Sequence, residues 1–183
     1  MITFVCGFPR TGTSLLMQML HAAGLNCAGR WPDFELASWV PGVGDSEVFS
    51  EHDALKWLEP HKAVVDAPEC RVIATTRDLD ERCKSFHKYY LNVLGEKLNR
   101  REMRRIKVGY RKEEPLFWKR VGRLSRSILV VRFESVIADP LTAARAVAGF
   151  VGQGEPETMA RVVRERSAGC LEGMLEMELI GER

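Results

Sequence analysis

Charge of one sign is in short supply in this chain: 27 lysines and arginines stand against 25 aspartates and glutamates, a formal net charge of +2 over 183 residues. So small an excess excludes bulk attraction to nucleic acid and leaves anion binding to local clusters. Long apolar runs are absent as well. No stretch approaches the roughly 20 residues needed to cross a bilayer, and no basic segment leads a longer apolar one at the start. The expectation is therefore a soluble, cytoplasmic protein without a membrane span. Cysteine is sparse: Cys6, Cys27, Cys70, Cys83 and Cys170 are odd in number, widely spaced and free of any C-x-x-C pair. That pattern suggests neither a disulfide framework nor a metal site, and buried thiols are expected.

What is present starts with the stretch from Thr3 to Leu20, a short apolar strand, a Gly/Pro turn and a hydroxyl-rich helix start. Gly7 and Gly12 frame a tight loop, while Thr11, Thr13 and Ser14 stand beside the unpaired N–H groups of a helix N-terminus. Both features attract an anion. The glycine spacing matches the Walker A pattern G-x-x-x-x-G-K-[ST], yet Thr13 occupies the lysine position and the cation comes earlier, as Arg10.

Along the chain, strand and helix signals alternate. An apolar run at 2–6 suits a buried parallel strand, followed by Leu15, Leu16, Met19, Leu20 and Ala23 at helical spacing, ended by Gly24. Residues 26–50 lack a sustained period and read as a long excursion on the ligand side of the sheet. The spacing from Glu51 to Leu58 suggests a short helix closed by Pro60, and 62–66 a weak second strand. A stronger strand runs from Arg71 to Thr76, after which Asp78 caps a helix carrying Cys83, Phe86 and Tyr90 on one face. A helical segment from about Glu114 to Leu124 precedes the strand Ile128 to Phe133. Asp139-Pro140 then opens a helix with Ala144, Val147, Ala148 and Val151 on its buried face, ended by Gly152. Residues 155–183 read as one or two amphipathic helices. The sum is one domain over 1–183: a three-layer α/β/α structure with a central parallel sheet and a P-loop-like phosphate-binding loop after the first strand.

Between Glu96 and Lys112 lies the most basic part of the chain, read either as a solvated helical face or as a lid or rim that attracts an anionic ligand. Interleaved aromatics are missing there, Tyr110 excepted, so no nucleic-acid partner is expected. Arg77 follows the third strand at the same sheet edge as the loop, and Ser85 lies two helical turns farther on. Together with the loop they imply a ligand with two separated phosphate-like groups.

These segments resemble the sulfotransferase superfamily, closest in look to its short bacterial and phage-type members. Val5 to Leu16 is similar to the family's 5′-phosphosulfate loop, P-[RK]-[ST]-G-[ST]-[ST]-x-L. Arg71 to Ser85 resembles its 3′-phosphate segment, and Val130 to Pro140, running on to Gly152, resembles its late strand and helix. The resemblance implies a donor, 3′-phosphoadenosine 5′-phosphosulfate (PAPS), and transfer of its sulfuryl group in line to a hydroxyl or amine. It assigns Arg10, the Thr11-Gly12-Thr13 backbone and the Thr13 and Ser14 hydroxyls to the 5′-phosphosulfate, with Arg77 and Ser85 on the 3′-phosphate. Two family features have no counterpart: a lysine just before the acidic residue and proline at Asp66-Ala67-Pro68, and a C-terminal G-x-x-G-x-[WK] segment.

The general base that the reaction needs is read as Glu51, with Glu47 and His52 as alternatives, since Phe49-Ser-Glu-His resembles the family's G-Y-[FY]-E segment. His21, His61 and His87 read as ordinary surface residues. The acceptor, a small molecule or glycan, would sit against Trp31, Phe34, Trp39 and Phe49, which are equally readable as a packed lid. Two rival readings are a P-loop nucleotide kinase or NTPase, and a noncatalytic module binding a phosphorylated nucleotide or sulfated glycan.

Overall fold

The computed structural model describes residues 1–36, 45–63 and 69–163. The first strand, β1 (Ile2–Gly7), is buried along its whole length, as a central parallel strand covered on both faces has to be. After it come α1 (Thr13–Ala22), α2 (Asp45–Glu51), β2 (Ala54–Leu58), a 3-10 turn at Pro60–Lys62 and β3 (Cys70–Thr76). The second half holds α3 (Leu79–Val93), α4 (Arg100–Leu124), β4 (Ser127–Arg132), α5 (Phe133–Ala138), α6 (Pro140–Val151) and α7 (Pro156–Ala160). The four strands among the described residues form one parallel sheet in the order β2-β1-β3-β4.

The strand alternation sorts the core into two layers. Val5, Ala54 and Ile73 face α1, α5, α6 and α7, where Leu16, Leu20, Val136, Val147 and Met159 pack. Phe4, Leu55, Val72 and Ala74 face the other way, against Phe117, Val121 and Tyr110 of α4, with Phe49 of α2 edge-on to Phe4 at 5.4 Å. Cys6, Cys27, Cys70 and Cys83 are buried free thiols, and burial pushes Cys27 up to about 12 and Cys6 higher still. Such thiols fill space and do no chemistry at neutral pH. Cys170 lies outside the described residues.

Several boundaries follow the local signals. Asp78 caps α3 by accepting from the N–H groups of Asp80 and Glu81, and Asp139 caps α6 with Pro140 at its first position. Gly152, at φ 79, ends α6, and the guanidinium of Arg71 donates to the Val151 carbonyl at 2.6 Å, where a cation suits the helix C-terminus. Helix α7 covers only the start of the expected tail, and 164–183 lie outside the described residues.

Four expectations are corrected. The segment 54–58 is not helix but strand β2, since Ala54 to Trp57 are all buried beside β1 and a helix would expose one face. The expected second strand at 62–66 begins in a 3-10 turn at Lys62, and 64–68 lie outside the described residues. The separate helix at Glu114 does not exist: α4 runs 25 residues straight through Pro115, which is exposed, with Asn99 and Glu102 forming a capping box at its start. His61 is no surface residue, its side chain being 5% exposed between the rings of Phe8 and Phe117.

Candidate active site at the carboxyl edge of the sheet

The β1–α1 loop leaves the sheet at the carboxyl edge, the place where open parallel sheets bind ligands. Two residues in its turn have positive φ, Arg10 at 68° and Gly12 at 92°. For arginine that conformation costs about 1–2 kcal/mol, and such strain clusters at ligand-binding loops. Gly7 is fixed by contact: a Cβ there would stand 2.2 Å from Thr75 Oγ1 and 2.5 Å from Thr11 Oγ1. Thr11 itself is turned inward, donating to the Phe8 carbonyl and lying 2.7 Å from Thr75 Oγ1. Its hydroxyl ties the loop to β3, so of the expected ligand hydroxyls only Thr13 and Ser14 line the cradle.

Helix α1 starts at Thr13 with Gly12 as N-cap and no side-chain cap on its first N–H groups. Those donors and the partial positive charge of the helix end face a small cavity of about 50 Å³ lined by Arg10, Gly12, Thr13, Ser14, Leu15, Arg77 and Phe133. Two guanidiniums and no carboxylate line it, which is the composition of an anion site. Arg10 Nε donates to Ser85 Oγ at 3.2 Å, and Arg77 donates to the Arg10 carbonyl at 3.3 Å. Arg10, Thr13, Ser14, Arg77 and Ser85, chosen from separate stretches of sequence, are thus brought together.

The third stretch supports the other two. The Phe133 ring lies beneath the Arg77 guanidinium at 4.5 Å and against Gly12, where a Cβ would approach it to 2.4 Å. Glu134 accepts the Asp78 N–H at 3.0 Å and pairs with Arg132, so the start of α5 holds the β3–α3 turn in place.

Lys56 is the residue that sequence reasoning missed. It sits in the middle of β2 with its side chain 2% exposed, and its ammonium donates to Ser14 Oγ at 3.2 Å, to Glu35 Oε1 at 2.5 Å and to the Asp33 carbonyl. A lysine inside a strand buried on both faces needs such partners, and that was the available signal. Lys56 belongs to 54–58, the segment misread as helix, while the stretch around Asp66 where a lysine was sought lies outside the described residues. Beside it lies a second cavity of about 280 Å³ lined by Glu35, Leu36, Lys56, Trp57, Leu58, Glu59 and Lys62.

Glu51 is not part of this site. Parallel pairing sets Thr3 opposite Ala54 and Gly7 opposite Leu58, so Glu51 precedes β2 at the amino edge. Four strand residues, about 13 Å, separate that edge from the loop. Its carbonyl accepts from Asn26 at 2.6 Å just beyond the end of α1, and Glu47 and His52 belong to the same element and turn. Among the described residues of the excursion, the stretch carrying Asp33 and Glu35 reaches the ligand side. Its aromatics pack down: Trp31 and Phe34 meet edge to face at 6.0 Å beside His21, and Phe49 lies on Phe4, while Trp39 is outside the described residues.

No family model and no curated protein sequence matches the chain. Solved structures do. Mouse sulfotransferase SULT7A1, crystallised with PAP, superposes over 97% of this chain with a TM-score of 0.58 at 12% identity. The fold is that of the sulfotransferases. Retinol dehydratase, solved with androsterone and the inactive cofactor PAP, agrees over 98% of this chain and 77% of its own, with a TM-score of 0.54 at 14% identity. The chain spans 64% of the length of the mouse sulfotransferase. Among the described residues no helix is long and apolar enough to cross a membrane, and no cluster of metal-ligating side chains occurs.

Proposed function

We propose that this protein is a PAPS-dependent sulfotransferase acting on a hydroxyl or amine acceptor. The observation that carries the reading is the meeting of Arg10, Ser14 and Lys56 around the uncapped start of α1, with Arg77 and Ser85 against the same arginine. Two structures that share this fold are complexes with PAP, which supports the same donor class here.

The residues fit such a donor: the cradle holds two arginines, open helix N–H groups and hydroxyls, and no acidic side chain. Arg10, Thr13, Ser14 and the Gly12–Thr13 backbone hold the 5′-phosphosulfate, and Arg77 with Ser85 hold the 3′-phosphate, where a guanidinium grips oxyanions bidentately. PAPS supplies a sulfuryl group already activated by its anhydride bond to phosphate. Lys56 places its ammonium between cradle and acceptor cavity, where fixed positive charge stabilises the charge that builds up during transfer. Glu35, ion-paired to Lys56 and 55% exposed, replaces Glu51 as general base, since its carboxylate lines the acceptor cavity and an attacking hydroxyl must lose its proton there. The protein's task is otherwise to position groups.

Thermal shift with PAP, compared with ATP and magnesium, tests the donor. Saturation at a hundred times Kd stabilises by about 2.7 kcal/mol, an easily read rise in Tm. Stabilisation by ATP and magnesium alone would favour the kinase reading. Transfer of labelled sulfuryl to an acceptor panel tests the reaction, with Glu35→Gln lowering kcat about 10²-fold or more at unchanged PAP affinity. PAP binding without transfer to any acceptor would leave a noncatalytic binding module.

A further inference from the structure

Helix α3 has two working sides. Ser85 and Tyr89 face the cradle, Ser85 through its contact with Arg10 and Tyr89 with its ring 5.4 Å from the Arg10 guanidinium. The other side opens on a groove of about 720 Å³ between α3 and the first half of α4, a volume within the usual range for small-molecule sites. Its apolar surface comes from Cys83 on α3, Met103 on α4 and Leu98 between the helices. Its rim is cationic. Lys84 is paired with Glu81 and Lys107 with Asp80, whereas Arg100 and Arg104, one helical turn apart, make no ion pair among the described residues. From Lys84 to Lys112 ten lysines and arginines face only two glutamates, in a chain whose net charge is +2. Four of the ten, Lys84, Arg100, Arg104 and Lys107, line the groove beside a single acid, Asp80.

We infer that the α3–α4 groove binds an amphiphilic organic anion, a carboxylate, sulfate or phosphate head on an apolar body. The head sits between Arg100 and Arg104, two guanidiniums suited to a planar or tetrahedral oxyanion. The body lies over Cys83, Leu98 and Met103, the last a flexible thioether that adapts to irregular apolar shapes. The apolar floor separates it from a site for a hydrophilic polyanion. Because the groove and the cradle lie on opposite sides of α3, the site is independent of the donor reading.

The test uses the full chain and anilinonaphthalene sulfonate as fluorescent probe, with displacement by octanoate, decanoate and dodecanoate below their micellar concentrations. Saturable binding is expected, with competition tightening roughly fourfold for each methylene buried. Reversal of the rim in R100E/R104E weakens dodecanoate at least tenfold with an unchanged circular dichroism spectrum, and Met103→Ala weakens it several-fold. Arg10→Ala in the cradle and Lys119→Glu elsewhere on α4 leave binding intact. Affinity independent of chain length, insensitivity to the rim reversal, or loss of binding in Arg10→Ala would each overturn the site. So would binding to phosphatidylglycerol vesicles without binding of monomeric dodecanoate, which would make the basic face a membrane contact.

Discussion

The two sides of the site are built differently. On the proposed donor side, Arg10 to Ser14 are consecutive, and Arg77 and Ser85 sit eight residues apart across one strand–helix turn. On the proposed acceptor side, Glu35 and Lys56 come from segments 21 residues apart, joined by an ion pair of 2.5 Å and by the lysine's bond to the Asp33 carbonyl. Each half of the first side is a local motif that a strand-turn-helix will form, and the two halves meet through the pairing of β1 with β3. The second exists only once β2 has docked beside β1 and carried Lys56 to Ser14. A local motif fixes what anion is held, and tertiary pairing fixes what can be done with it.

Removing the tertiary half should therefore stop chemistry and spare binding. Lys56→Ala is expected to lower kcat by about 10²–10³-fold, the usual loss when a preorganised charge-stabilising group is deleted. PAP should still raise the Tm of this variant. Glu51→Gln, at the far edge of the sheet, should stay within twofold of wild type in kcat and KM. A variant pair that behaved the other way round, with Glu51 essential and Lys56 dispensable, would mean that the acceptor approaches from the amino edge and that β2 is not where the site is completed.

How much of this could be read from sequence follows the same division. The loop and the Arg77–Ser85 pair were legible because each lies within one short segment whose residue types match one geometry, whereas Phe133, read as the end of a strand, starts α5. Lys56 was not, because a charged residue interrupting Ala54 to Leu58 breaks the apolar run that marks a buried strand. The neighbouring Glu51 to Asp53 then made a helix start more plausible. Glu35 lies in a stretch without period, and only the contact with Lys56 singles it out. The helix expected from about Glu114 is the second half of α4, which runs on through Pro115. The helix tolerates it because an exposed proline loses one backbone hydrogen bond while Phe117 and Val121 keep the following turns buried.

A milder change on the donor side should move binding and leave chemistry largely alone. Arg77→Ala removes a guanidinium next to Arg10, and Ser85→Ala removes the hydroxyl that accepts from Arg10 Nε. Hydrogen bonds to charged groups contribute about 1.5–3 kcal/mol, so Arg77→Ala should raise the donor KM roughly 10–100-fold with a smaller fall in kcat, and Ser85→Ala about tenfold or less. Equal losses in kcat for both would place the transferred group, rather than the second anion, at this pair.

The smallest expected effect separates the scaffold of the donor side from its ligand contacts. Asp78 joins Arg77 to α3, and its carboxyl is held below the usual carboxylate range, first by the Glu81 N–H, which with the Asp80 N–H outweighs the opposing effect of desolvation. A carboxyl whose folded pKa is depressed binds its proton more readily in the unfolded chain. Its contribution to stability is thus complete above the unfolded value near 4 and disappears as pH falls through the lower folded value. Asp78→Asn keeps a cap that does not titrate, losing only the negative charge at the helix start. Melting curves of the two proteins should differ by roughly 1–2 °C at pH 7 and converge below the folded pKa, while donor affinity stays the same. A gap that persisted into acid would show that Asn disturbs the turn itself. Because Arg77 leaves β3 through that turn, donor KM would then rise along with the loss of stability.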